Sequence, residues 1–236
     1  MPNVTTPDNA VFYVYGDVPF DKVVRTLERL LPIAPLAAPT AEPLTFAIPA
    51  PRLTPLRREV EKHTHQAHVL SGAATFGGTD ERRFALIILN NMLGGPGMNS
   101  RLNLSMREKK GLVYSVDSYL NTYPDTGFWN VYFGCDAHDV RRCEAALHRE
   151  LRRFIDQRLT ASQLDAAKKQ LIGQIGISTD AAEGYALAMG KTFAHYGTHR
   201  NVNNIIEALK DVTPEQLQAV AEQVYAPECL TTLIYC

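Results

Sequence analysis

The chain has 236 residues, of which 45% are hydrophobic and 21% charged, and a formal net charge of -1. This length and apolar share suffice for a sizeable core and exclude a disordered or fibrous chain, and the near-neutral charge leaves no basic field to attract nucleic acid or an anionic membrane. No stretch approaches the roughly 20 apolar residues of a membrane span.

Residues 10 to 15, Ala-Val-Phe-Tyr-Val-Tyr, are rich in β-formers and run into Gly16-Asp17-Val18-Pro19; residues 20 to 31 then show helical spacing through Val23, Val24, Leu27, Leu30 and Leu31. This predicts a strand, a turn and a helix. Prolines 32, 35, 39, 43, 49, 51 and 55 follow. Neither a helix nor a paired strand runs far through such a segment, so 32 to 58 reads as a linker. Glu59 to Phe76 looks extended. Thr79 is placed to cap a helix from Asp80 to Leu93, with Phe84, Ile87, Ile88 and Met92 on one stripe. Beyond the glycine-rich Gly94-Gly95-Pro96-Gly97, a helix over Met98 to Lys109 is predicted to stop at Gly111, a residue suited to a left-handed cap.

Leu112 to Tyr123 and Phe128 to Cys135 flank Pro124-Asp125-Thr126-Gly127, the sequence of a hairpin turn. Val140 to Gln157, Ser162 to Ile175 and Asp180 to Tyr196 read as three helices. Thr213-Pro214-Glu215-Gln216 opens another with a capping box, and Leu230 to Tyr235 closes the chain as a strand. Strands joined by a hairpin, with helices grouped after them, predict an α+β fold: an antiparallel β-sheet with helices packed on one face.

Chemistry-bearing patterns are few. His63, His65 and His68 form an HxHxxH cluster, but on a strand the first two face one side and the third the other, so all three converge on one metal ion only if the strand bulges. His195 and His199 have helical i, i+4 spacing, yet Tyr196 stands where HExxH needs glutamate, and Gly197 argues for a helix end. No HxxEH and no HExxH occurs, nor a GxSxG elbow. Gly94 to Gly97 matches neither a P-loop nor GxGxxG. Cys135, Cys143, Cys229 and Cys236 are scattered without a CxxC pair and read as ordinary thiols.

The segment from Leu93 to Tyr114 carries the most specific pattern: a glycine-rich turn, Ser100-Arg101-Leu102, then Arg107-Glu108-Lys109-Lys110-Gly111-Leu112-Val113-Tyr114. It resembles the second-domain signature of the insulinase/pitrilysin-type zinc metallopeptidases, which include the mitochondrial processing peptidases. The likeness extends to Tyr132-Phe133-Gly134, Leu159-Thr160 and the final Thr231-Thr232-Leu233-Ile234, while residues 8 to 31 resemble the last strand and helix of that family's first domain. The resemblance implies three segments: 1-31 as the end of an upstream first domain, 32-58 as the proline-rich linker, and 59-236 as a complete, non-zinc second domain.

It also implies roles. In the family the first domain holds zinc on HxxEH, and the facing domain supplies an arginine and a tyrosine that hold the substrate backbone; Arg107 and Tyr114 stand at those positions here. The loop containing Gly94, Gly95, Gly97, Asn99 and Ser100 resembles the glycine-rich substrate loop of the non-catalytic processing-peptidase subunit, though shorter. From the residues alone, Arg107 paired with Glu108 on a solvated helix and the loop as a tight helix-to-helix turn stay open. The expected protein is thus the C-terminal, non-catalytic part of a zinc metallopeptidase, inactive alone, with no metal or cofactor of its own and zinc in the other half. Its expected partners are a zinc-bearing first domain, in the same or another chain, and a peptide substrate, in a dimer or clamshell without nucleic acid or membrane. A non-proteolytic structural or assembly subunit of the same fold is the alternative, and an independent HxHxxH metal protein a third. Met1-Pro2-Asn3-Val4-Thr5-Thr6-Pro7 has no secretory pattern; a soluble protein is expected, cytoplasm favoured, with room for a targeting signal upstream.

Overall fold

The computed structural model describes residues 10–31, 54–62, 64–199 and 201–236. They fall into two compact units: 10–31 with 173–199 and 201–204, and 54–62, 64–172 with 205–236. Residues 173–204 therefore group with the N-terminal segment, which the expected boundaries at 31 and 59 did not anticipate. Most of the proline-rich segment lies outside the described residues.

In the first unit, helix α1 (Phe20–Leu30) starts after Pro19 and buries no residue. Residues 10–15 have no strand partner among the described residues, because β-forming side chains do not make a strand without a neighbour to take the backbone hydrogen bonds. Val11, Phe12, Val14 and Tyr15 are exposed. Tyr15 packs at 5.4 Å from Tyr185, which lies on α5 (Ala182–Tyr196).

The second unit is built on five strands: β1 (Arg57–Val60), β2 (Ala67–Thr75), β3 (Val113–Thr122), β4 (Gly127–Cys135) and β5 (Thr231–Tyr235), in the order β1-β5-β2-β4-β3. The β3–β4 hairpin, β4–β2 and β2–β5 pair antiparallel, but β1 lies parallel to β5. The sheet is mixed where hairpin patterning predicted antiparallel pairing throughout. β1 and β5 come from opposite ends of the unit, so no tight turn dictates their relative direction.

Helices α2 (Arg82–Gly94), α3 (Val140–Asp156) and α7 (Pro214–Tyr225) form a layer, with α2 against β3, α7 against β2 and α3 beside α7. β4 shows the consequence in its strict alternation of buried and open positions: Trp129, Val131, Phe133 and Cys135 point into the core. Trp129 packs on Tyr225 at 4.5 Å and Phe154 packs on Tyr225 at 6.2 Å, an aromatic cluster at the centre. Of the expected stripe Phe84, Ile87, Ile88 and Met92, α2 fully buries only Ile88; Ala85, Leu86, Leu89 and Leu93 are buried beside it, because the helix is covered on more than one side. Its start also differs. Thr79 does not cap it; the Asp80 carboxylate accepts from the Arg82 backbone N–H at 2.9 Å.

Capping chemistry sets two other helices. On α7, Thr213 and Gln216 form the predicted reciprocal box with Pro214 in the first turn. Thr160 and Gln163 exchange the same two bonds at the head of α4 (Ala161–Asp180). The end of α6 (Val202–Asp211) is capped by a lysine from α4: Lys168 Nζ donates to the Lys210 and Val212 carbonyls, placing a cation at a helix C-terminus. Sequence reading did not find α6.

Candidate functional site

Between α2 and β3 the chain makes a glycine-rich turn and then a π-helical turn, Asn103–Glu108. Gly94 is required there by close approach, since a Cβ would stand 2.7 Å from the Ser118 Cβ on β3. Ser118 is itself fastened: Trp129 Nε1 donates to its Oγ at 2.8 Å, and that hydroxyl donates to Asn90 Oδ1 at 2.7 Å. Along the loop, the Asn99 and Gln170 amides bond each other at 3.0 and 3.2 Å. Buried Ser100 accepts from Asn103 Nδ2 at 2.9 Å. A Cβ on Gly97 would press on Gln170, and one on Gly95 on Asn91. These contacts hold the loop as a tight turn. Together with α4 it borders a groove of about 290 Å³.

Arg107 sits on the π-helical turn, a wide turn found often at functional sites. Its Nε is 3.9 Å from Glu108, and both side chains are about half exposed. Such a pair contributes little and leaves the guanidinium available. Gly111 then takes φ 57°, the left-handed geometry predicted for it, and turns the chain into β3. Pairing between β3 and β4 is irregular between Val113 and Val116. Tyr114 lies in that irregularity and is 85% exposed, with its phenol outside the helix-covered core.

Beyond Tyr114 extends the sheet face that no helix covers among the described residues, which sequence reading missed. Tyr132 lies between Leu70 and Asp117 in register, and Asn130 between Gly72 and Tyr119. Leu70, Tyr119, Phe128, Tyr132 and Tyr235 are all exposed. The signal was present: in Phe128-Trp129-Asn130-Val131-Tyr132-Phe133 one phase of the strand alternation is wholly apolar and the other still carries Phe128 and Tyr132 on either side of Asn130. His68 lies on this face, its Nδ1 2.7 Å from the Tyr132 hydroxyl and its ring stacked on the tyrosine.

That contact bears on the metal reading of HxHxxH, since one nitrogen of His68 is engaged by Tyr132. His63 lies outside the described residues. His195 lies in the last turn of α5 and His199 beyond it, because Gly197 takes φ 65° and terminates the helix; the His199 ring packs on Phe193 at 5.2 Å. Among the described residues, Asp136, His138 and Asp139 are the group whose ligand atoms come together, within 4.8 Å. Asp139 is engaged by Arg142 and lies near His138, so the group is satisfied as a charge cluster at the start of α3. The four cysteines are free thiols, two of them buried. No helix among the described residues is long and apolar enough to cross a membrane.

Arg107 on the π-helical turn, the 85% exposed Tyr114 at the start of β3 and the exposed aromatic side chains of the sheet are the polar and apolar groups this part of the unit presents. The sequence matches the family described as Peptidase M16 inactive domain over residues 1–171. An uncharacterized zinc protease of Streptomyces coelicolor is 34% identical over 92% of this chain and 48% of its own length. One of Bacillus subtilis is 29% identical over 99% of this chain and 56% of its own. Among solved structures, a protease from Helicobacter pylori superposes with a TM-score of 0.75 at 19% identity, covering 94% of this chain and 54% of that one. A chain of complex III2 from Candida albicans gives 0.74 at 14% identity, over 93% and 53%. The chain belongs to the insulinase/pitrilysin-type metallopeptidase family and carries its inactive domain. It spans about half the length of the curated relatives it matches.

Proposed function

We propose that this chain is the substrate-holding wall of a zinc metallopeptidase, facing a zinc-bearing HxxEH domain supplied by the same or another polypeptide. The observation that carries the reading is the presentation of Tyr114 on an irregular strand start, reached from Arg107 through the left-handed turn at Gly111. A guanidinium offers rigid planar donors to a peptide carbonyl, and a phenol donates to an oxygen on which charge develops. The open sheet face extends that grip to substrate side chains, and the loop of Gly94, Gly95, Gly97, Asn99 and Ser100 adds a second wall, presented at Asn99 and partly at Gly97 while Gly94, Gly95 and Ser100 are buried beneath. Zinc, held on the facing domain, supplies the activated water, and peptide hydrolysis needs both halves. A closed assembly of two such halves is the expected partner arrangement.

In the complete two-half enzyme, Arg107→Ala is expected to lower kcat by roughly 10²-fold or more, the usual effect of losing one donor to a developing oxyanion, while bound zinc, measured by metal analysis, stays stoichiometric. Unchanged turnover removes Arg107 from the mechanism.

A further inference from the structure

Behind the π-helical turn is a cleft of about 320 Å³ bounded by Arg101, Leu104, Ser105, Lys109, Glu150 and Arg153. Three cations face one carboxylate, and that carboxylate is already engaged. Both Glu150 oxygens accept from Arg153 Nη1, at 2.9 and 3.1 Å, and the Glu150 side chain is only 5% exposed. Arg153 belongs there for a structural reason, since it offsets the negative end of α3 in the last turn.

Arg101 and Lys109 have no such reason. The Arg101 guanidinium carbon sits over the buried Phe154 ring, 3.8 Å from its centroid. Neither Arg101 nor Lys109 has a carboxylate or carbonyl acceptor among the described residues. A guanidinium carries five N–H donors in a fixed fork, and withdrawing them from water without acceptors costs free energy. Burial indeed holds the Arg101 pKa below the ordinary arginine value, with the Glu150 charge opposing that shift. Stacking on a ring leaves the edge of the fork free for a ligand, as cation–π contacts use the face.

We propose that this cleft binds a small oxyanion, a phosphate or carboxylate group held between the Arg101 fork and the Lys109 ammonium. Planar bidentate donors from arginine and a point charge from lysine together match both anion types. The inference stands apart from the proteolytic reading, because the site lies wholly within this chain and its occupancy is measurable without a catalytic half.

The test is calorimetric titration of the full 236-residue chain with inorganic phosphate and, separately, with acetate, both at constant ionic strength. Saturable one-site binding of either anion is expected, and which one binds distinguishes the two chemistries. Lys109→Gln, at an exposed position, is expected to weaken that binding about tenfold, the effect of one lost charge-assisted hydrogen bond. Lys110→Gln, the exposed neighbour, is expected to leave it unchanged. Absence of saturable binding with both anions overturns the proposal. So does a Lys109→Gln protein that binds as the parent does, or equal weakening by Lys110→Gln, which marks diffuse charge rather than a site.

Discussion

The two faces of one sheet have opposite fates. On the covered face, Ala67, Val69, Trp129, Val131 and Phe133 lie under α2, α3 and α7 and are essentially inaccessible. On the other, Leu70, Tyr119, Phe128 and Tyr132 are side chains of comparable size left in water. An exposed apolar face of this kind marks an interaction surface rather than a packing fault. The same strands thus provide both a core and an open apolar face, the face proposed above as a substrate wall, and residue composition does not separate the two.

Three substitutions probe that contrast. Trp129→Ala on the covered face removes the centre of the aromatic cluster and is expected to cost about 3–5 kcal/mol, read from denaturant unfolding by far-UV circular dichroism because it deletes the only tryptophan. A loss below 1 kcal/mol would mean that the covered face is not the core. Tyr132→Ala on the open face removes a side chain in contact with His68 and is expected to cost less than about 1 kcal/mol by Trp129 fluorescence, while weakening peptide capture in the assembled enzyme. If its stability cost matches that of Trp129→Ala, the two faces do not differ as described. Tyr225→Phe sharpens the comparison from within the core. The Tyr225 hydroxyl is buried without a hydrogen-bond partner among the described residues, and burial alone raises its pKa far above the ordinary phenol value. Removing it is expected to leave stability unchanged or raise it by up to about 1 kcal/mol; a clear loss would reveal a partner for that oxygen.

Much of the second unit was legible in advance. The Pro124–Gly127 turn, the capping box at Thr213 and the helix stop at Gly111 are local chemistry, and each appears where the residues require it. The Arg107 and Tyr114 pattern was likewise readable as a motif, while the exposure of Tyr114 and the irregularity beneath it were not. Residues 10–15 show the opposite failure: strong β-formers that lack a strand partner among the described residues.

What the sequence determined by itself were the elements whose cause lies within a few residues: caps, turns, left-handed glycines and the alternation that makes a strand two-faced. Tertiary structure decided which strand meets which, the parallel docking of β1 on β5, the grouping of residues 173–204 with the N-terminal segment, and which apolar face stays open. Those outcomes depend on contacts between residues distant in the chain, and a hydrophobic side chain carries the same local signal whether a helix covers it or water does.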